Sequence, residues 1–281
     1  MALEGRCQEA LPLLKQARGE VRDPELKKQV GKGGVRCSMI LHDEGTATQF
    51  LTWLRHDFPN DPEILLLAVH AYSDLAVRSS DALTQIAPGS AEVIQLNAEN
   101  FEKQGDFKSA IAQYRTLLQR RPNTPAIHYR IGALLFSHST SSSSAAEARR
   151  EFEAELKIYP QSGGSEYYLG ELARQQDKLP EAIEHYTRAT QFSPELGEAY
   201  YGLGRCLLDS GRAWDSLTSL KTAVRLLPDN PNAHFALATA YQKLGKKEDA
   251  AREFALQKTT AEKLNQNTTT LKKTLAGPAE K

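Results

Sequence analysis

The sequence predicts an all-α fold of stacked helix pairs, and three observations carry that prediction. Pro88, Pro122, Pro160, Pro194 and Pro228 recur at spacings of 34, 38, 34 and 34 residues. Each interval repeats one internal order of small and bulky residues, and each lacks the strict alternation that marks a strand. A period in this range means that one helix-turn-helix unit is copied, and that a single copy cannot bury its apolar face without neighbours.

The clearest copy runs through Glu166, Leu169-Gly170, Ala173, a turn at Asp177-Lys178, Ala182, Tyr186, Ala189 and Pro194. The next carries Tyr200, Leu203-Gly204, Leu207, Gly211, Ser216, Leu220, Ala223 and Pro228, and the one after it His234, Leu237-Ala238, Tyr241, Gly245, Ala250 and Phe254. Upstream copies read Ile131-Gly132, Leu135, Ala148, Phe152 and Pro160, and before that Asn97-Ala98, Phe101, Gly105, Ala110, Tyr114 and Pro122. Gly132, Gly170 and Gly204 let two helices approach closely, and Ala110, Ala148, Ala182 and Ala250 do the same from the second helix. Tyr114, Phe152, Tyr186, Leu220 and Phe254 lie four residues beyond a small residue on the same helical face and form the spine between copies. Proline then ends the second helix, because it has no amide to continue the hydrogen-bond ladder.

This order resembles the tetratricopeptide repeat, with its Leu-Gly, Tyr, Ala, Phe and Pro at fixed offsets over 34 residues. The resemblance implies a right-handed α-α superhelix of about seven repeats and a protein-binding scaffold of bacterial type. It covers five units, 91–124, 125–162, 163–196, 197–230 and 231–264. Residues 1–90 follow the pattern less strictly. Residues 8–20 read as the second helix of a half-repeat, with Pro12 in its first turn, and either cap the stack or mark a chain trimmed from a longer precursor. A unit follows at 25–59, and another at 62–88 whose second helix, around Ala82 to Ile86, is short. The serine tract Ser137 to Ser144 reads as a mobile loop, or as a site for a regulatory modification. Residues 265–281 form a capping extension, with a disordered tail from about Thr268.

Composition narrows function. Lys plus Arg equals Asp plus Glu at 35 each, so the basic footprint of a nucleic-acid binder is missing. Met1 to Leu14 is interrupted by Glu4, Arg6, Gln8 and Glu9, which argues against a secretory signal and against membrane insertion in this chain. The chain as written reads as cytoplasmic, or as periplasmic if a signal segment preceded it. Cys7, Cys37 and Cys206 are too few and scattered for a disulfide framework; Cys206 reads as a buried filler, and Cys7 pairs with Cys37 only if adjacent helices bring them together.

Catalytic and cofactor motifs are not found. Gly31-Lys32-Gly33-Gly34-Val35 starts like a phosphate loop, but Arg36 and Cys37 stand where Gly and Lys are needed and no strand precedes it. Gly204 of Gly202-Leu203-Gly204 is explained by the repeat. The histidines at 42, 56, 70, 128, 138, 185 and 234 form no metal-ligand pair three to five residues apart on one helix. The expectation is a non-enzyme with no cofactor and no metal.

The resemblance also implies a binding surface. First helices of such repeats line a concave face, and the residues two before each Leu-Gly pair project into it: Tyr129, Tyr167, Tyr201 and Phe235. Aromatic rings give large contact area with few rotamers to freeze, which suits an extended peptide or a partner helix. Tyrosine at this slot also packs between helices, and both readings stand. Four residues further on come Glu99, Ala133, Glu171, Arg205 and Thr239, of which Glu171 and Arg205 are candidate groove charges, with Arg130 and Arg174 nearby. The Lys and Asn that clamp a chaperone's C-terminal carboxylate in some members of the family are absent from these slots. The expected function is therefore scaffolding of a protein partner in the groove; the alternative is a regulatory or targeting segment of a longer enzyme or envelope-anchored assembly protein.

Overall fold

The structure, a computed structural model, describes residues 6–138 and 142–275, and among them it contains α-helices and no strand. Two compact units divide the chain, Met1–Leu96 and Asn97–Lys281. The all-α helical repeat fold read from the sequence is what the chain adopts.

The first unit opens with α1 (Cys7–Glu20), α2 (Pro24–Ile40), α3 (Glu44–Asp57) and α4 (Pro62–Ile86). The last three start alike: Asp23, Asp43 and Asp61 each accept a hydrogen bond from an amide of the first turn, satisfying donors that the helix leaves unpaired. Pro24 and Pro62 occupy first-turn positions where no amide is needed. The core of this unit gathers Val35, Phe50, Leu51, Leu54 and Ile64. Gly31 and Gly34 lie inside α2, where a side chain at Gly31 would collide with Leu54 and one at Gly34 would come within 2.6 Å of the Phe50 ring. The stretch that opens like a phosphate loop is thus a helix face shaped for close packing.

The second unit takes up the helices that follow α5 (Ala91–Gln104), which crosses the boundary. These are α6 (Phe107–Arg120), α7 (Ile127–His138), α8 (Ser142–Ile158), α9 (Gly163–Gln175), α10 (Leu179–Phe192), α11 (Gly197–Asp209), α12 (Ala213–Leu226), α13 (Pro231–Lys243) and α14 (Lys247–Leu275). The small-under-large grammar is literal here. Tyr114, Phe152, Tyr186 and Leu220 are fully buried, and a Cβ on Gly132 or Gly170 would come within 2.7 Å of the Phe152 ring or 2.8 Å of the Tyr186 ring. Gly105, Gly211 and Gly245 turn the chain between paired helices in the left-handed region, at φ of 79°, 79° and 73°. Between α9 and α10, where no glycine stands, Asp177 takes that conformation at φ 58°.

Neighbouring first helices touch, α7 with α9, α9 with α11 and α11 with α13. Among the described residues the second helices α8, α10 and α12 do not touch one another. A stack whose first helices meet while its second helices splay bends toward the first helices, so these form the inner side of this unit.

Several expectations need correction. The unit at 62–88 is not two helices: α4 runs unbroken for 25 residues. The serine tract is largely helical, Ser137 and His138 closing α7 and Ser142 opening α8, while 139–141 lie outside the described residues. The tail expected to be disordered from Thr268 continues as α14 to Leu275, with the remainder outside the described residues. Pro12 lies in the second turn of α1, so the helix forgoes the amide bond to the Gln8 carbonyl. Finally, Cys7 and Cys37 are joined as a disulfide, because α1 and α2 fold back on one another and bring their Cα atoms to 4.8 Å. Closing a loop of this length stabilises a fold by roughly 3–4 kcal/mol on the chain-entropy model. Cys206 is buried, and burial pushes its thiol up to about 11, so it acts as the small filler expected.

Candidate functional site

All four aromatics of the expected ladder sit on first helices of the second unit: Tyr129 on α7, Tyr167 on α9, Tyr201 on α11 and Phe235 on α13. Their surroundings differ. Tyr129 is half-buried, its ring 6.2 Å from Phe152 and 5.9 Å from Tyr168. Tyr167 is half-buried too, 5.1 Å from Tyr168 and 6.1 Å from Tyr186. Burial raises the pKa of both phenols, helped for Tyr167 by the nearby Glu171 carboxylate, so both are neutral donors over the ordinary pH range. Tyr201 packs against the cluster of Leu208, Leu217, Leu220 and Leu237, and its hydroxyl accepts a hydrogen bond from Arg205 at 3.4 Å. Phe235 stands 47% exposed with its ring edge-on to Phe254 at 5.9 Å.

Ring contacts therefore join Tyr129 and Tyr167 through Tyr168, a residue missing from the sequence-based candidates. Tyr168 stacks on Phe152 at 5.0 Å and meets Phe136 edge-on at 5.2 Å, so it is the hinge of the aromatic surface. Its signal was available as the second Tyr of Tyr167-Tyr168, one step round the helix toward the preceding pair. Tyr201 and Phe235 form a separate group, linked through the apolar cluster that Tyr201 and Phe254 share.

The two candidate charges have partners inside the chain. Glu171 accepts the Tyr186 hydroxyl and the Arg174 guanidinium, the latter at 2.7 Å. Arg205 lies 3.7 Å from Asp209 and donates to Tyr201. A matching network occurs two pairs earlier, where the Tyr114 hydroxyl donates to Glu102 at 2.8 Å and Arg130 donates to both, at 3.2 Å and 3.0 Å. In both networks a first-helix carboxylate receives the hydroxyl of a second-helix tyrosine, Glu171 from within the candidate slot and Glu102 three residues beyond the slot residue Glu99.

A second set of polar contacts staples paired helices together. His128 meets Glu151 at 2.7 Å and His234 meets Glu253 at 2.7 Å, the histidine on the first helix each time. In the first of the two pairs between them the roles exchange, Glu166 on α9 meeting His185 on α10 at 2.6 Å, with Arg188 also donating to Glu166 at 2.7 Å. The burial of Glu166 works against its charge, but the hydrogen bonds from His185 and Arg188 outweigh it and hold the carboxyl below its ordinary 4.5. Among the described residues no group of three or more His, Cys, Asp or Glu is arranged to hold a metal ion. No helix of the described residues is long and apolar enough to cross a membrane.

Comparison with known proteins agrees with this geometry. A family model described as "TPR repeat" matches residues 170–211 and 204–245, and one described as "Tetratricopeptide repeat" matches residues 96–163. Among solved structures, the MamA protein superposes with a TM-score of 0.53 at 20% identity, over 63% of this chain and 94% of that one. YrrB, described as a TPR protein with an unusual peptide-binding site, superposes with a TM-score of 0.52 at 18% identity, over 64% of this chain and 91% of that one. Among curated proteins, the "Protein CTR9 homolog" of Arabidopsis thaliana is 25% identical over 150 residues, which are 51% of this chain and 13% of that protein. The chain thus spans only a small part of that relative.

Proposed function

The chain belongs to the tetratricopeptide repeat family, and from that premise we propose that it is a non-enzymatic scaffold holding a peptide or helix of a partner protein along the first-helix side of its second unit. One observation carries the reading: four successive first helices, each touching the next, bear an aromatic at the same slot. Tyr129, Tyr167 and Tyr201 have their inner edges in the core, which holds the rings rigid and lowers the entropy lost on binding. Phe235 is exposed enough to be covered by a guest. The description of YrrB as peptide-binding gives a precedent on this fold.

No reaction is assigned. Glu171 is occupied by Tyr186 and Arg174, and Glu166 by His185 and Arg188, so these carboxylates are committed to structure. A pull-down with the whole chain, followed by fluorescence anisotropy with peptides tiling the captured protein, tests the proposal. Phe235→Ala and the double variant Tyr167→Ala with Tyr201→Ala should each weaken binding by about tenfold or more. Circular dichroism separates the two roles: lost affinity with unchanged helix content supports binding, and a proportional loss of both in every variant makes the ladder core.

A second reading, a regulatory or targeting repeat block of a longer enzyme or envelope-anchored assembly protein, is favoured by the match to a short stretch of the much longer CTR9 homolog. Intact mass of the protein from its native cell distinguishes it from the first.

A further inference from the structure

We propose that Cys7 and Cys37 form a thiol–disulfide latch that fastens α1 to the first unit when oxidised and lets it come away when reduced. The pair is buried, Cys7 at 2% and Cys37 at 0% exposure, and belongs to one cluster with Ala10, Leu11, Val30, Val35 and Phe50. What singles it out is the weakness of the helix it holds.

The other three helices of this unit begin with an aspartate that caps a first-turn amide, but the residue before α1 is Arg6, which makes no side-chain cap. Pro12 removes a further amide from the ladder. Only Cys7, Ala10 and Leu11 of the fourteen residues in α1 are buried, all in its first half. Beyond these, Leu14 and Ala17 pack against the same core only from half-buried positions, the Arg18 guanidinium lies 5.3 Å from the Phe50 ring centre, and a Lys15 to Asp43 ion pair at 3.3 Å is exposed to solvent and contributes little. A helix this short and poorly capped is marginal on its own. The disulfide stands at its first residue, where fraying starts, so the covalent bond holds the point that would open first.

The chemistry balances with a low-molecular-weight disulfide of the glutathione class as oxidant. The Cys7 thiolate, freed as α1 frays, attacks one sulfur of that disulfide, forming a mixed disulfide and expelling one small thiolate. The Cys37 thiolate then attacks the Cys7 sulfur, closing the protein bond and expelling the second. The two cysteine protons leave with the two small thiols, and the dithiol has lost two electrons that the small disulfide gained. Two small thiols or dithiothreitol run the sequence backwards. Because both sulfurs are buried in the closed state, the rate of reduction is set by how often α1 lifts.

The test uses the whole chain, oxidised with glutathione disulfide or reduced with dithiothreitol. After denaturation, iodoacetamide should label Cys206 alone in the oxidised protein and all three cysteines in the reduced one. Hydrogen exchange followed by mass spectrometry should find the α1 amides exchanging roughly tenfold or more faster after reduction, with α2, α3, α4 and the second unit unchanged. Cys7→Ala should exchange fast at α1 under both conditions, and Cys206→Ser should respond like the parent. Three labels after oxidation, α1 exchange unaltered by reduction, or faster exchange spreading through α2 to α4 would overturn the latch; the last would make the bond a support for the whole core.

Discussion

The two units solve one problem differently. In the second, α8, α10 and α12 each bring a bulky residue onto a glycine, so Phe152 rests on Gly132, Tyr186 on Gly170 and Leu220 on Gly204, and repetition supplies the cover that each pair lacks alone. The first uses that device once, between α2 and α3, where Phe50 and Leu54 rest on Gly34 and Gly31. Its remaining helices, α1 and α4, pack onto this α2–α3 pair. One is fastened by a disulfide, and the other leaves Leu65, Leu66, Val69, Tyr72 and Val77 between 40% and 59% exposed. Shape complementarity at a repeated contact and covalent or solvent-facing compromise elsewhere are therefore two grades of order within one chain.

Substitutions can break that contrast. The largest effect is expected for Tyr186→Ala, which empties a fully buried ring site and strands Glu171: about 3–5 kcal/mol by chemical denaturation. Tyr72→Ala on α4, at 41% exposure, should cost less than about 1 kcal/mol; a comparable loss would mean that α4 is covered by something further. Next comes Gly170→Leu, whose Cβ alone would meet the Tyr186 ring at 2.8 Å; overpacking of this kind costs about 1–3 kcal/mol, read as a lower melting temperature. By contrast, Gly19→Ala in α1 meets nothing within 4 Å and should be neutral or stabilising, by up to about 1 kcal/mol.

Acidification gives a finer probe. The Glu166 carboxyl titrates below 4.5 in the folded chain, so it binds its proton less readily there than when unfolded. Its contribution to stability is complete above the unfolded value and is lost as pH falls through the folded one. Melting temperatures of the parent and of Glu166→Gln should differ near neutral pH and converge on acidification through this range. A constant gap would show that packing, not charge, sets the difference.

What was legible in the chain follows the same division. Gly170, Ala182, Tyr186 and Pro194 each meet a requirement of one contact or one turn, so the sequence displays them position by position. The fusion of the expected helices at 62–88 was legible in principle, since no Gly or Pro interrupts residues 71–83; the repeat period argued for a break that no residue supplies. The cysteine pair was not, because it depends on how α1 and α2 slide past each other, which two residues 30 apart do not announce. Composition misled at Ser142–Ser144, where serines open a helix instead of extending a loop. For the candidate site, the slot positions of Tyr129, Tyr167, Tyr201 and Phe235 could be read from the repeat, but the occupation of Glu171 by Tyr186 needed the facing helix in place.

The central claim is that a partner lies along the first helices of the second unit, and photocrosslinking tests it most directly. Benzoylphenylalanine introduced at Phe235 and, as a control, at Trp214, whose 64% exposure offers more access to solvent than the 47% of Phe235, would be irradiated in the presence of the captured partner. Crosslinking from position 235 and not from 214 is the predicted result. Equal crosslinking from both, or crosslinking from 214 alone, would contradict it.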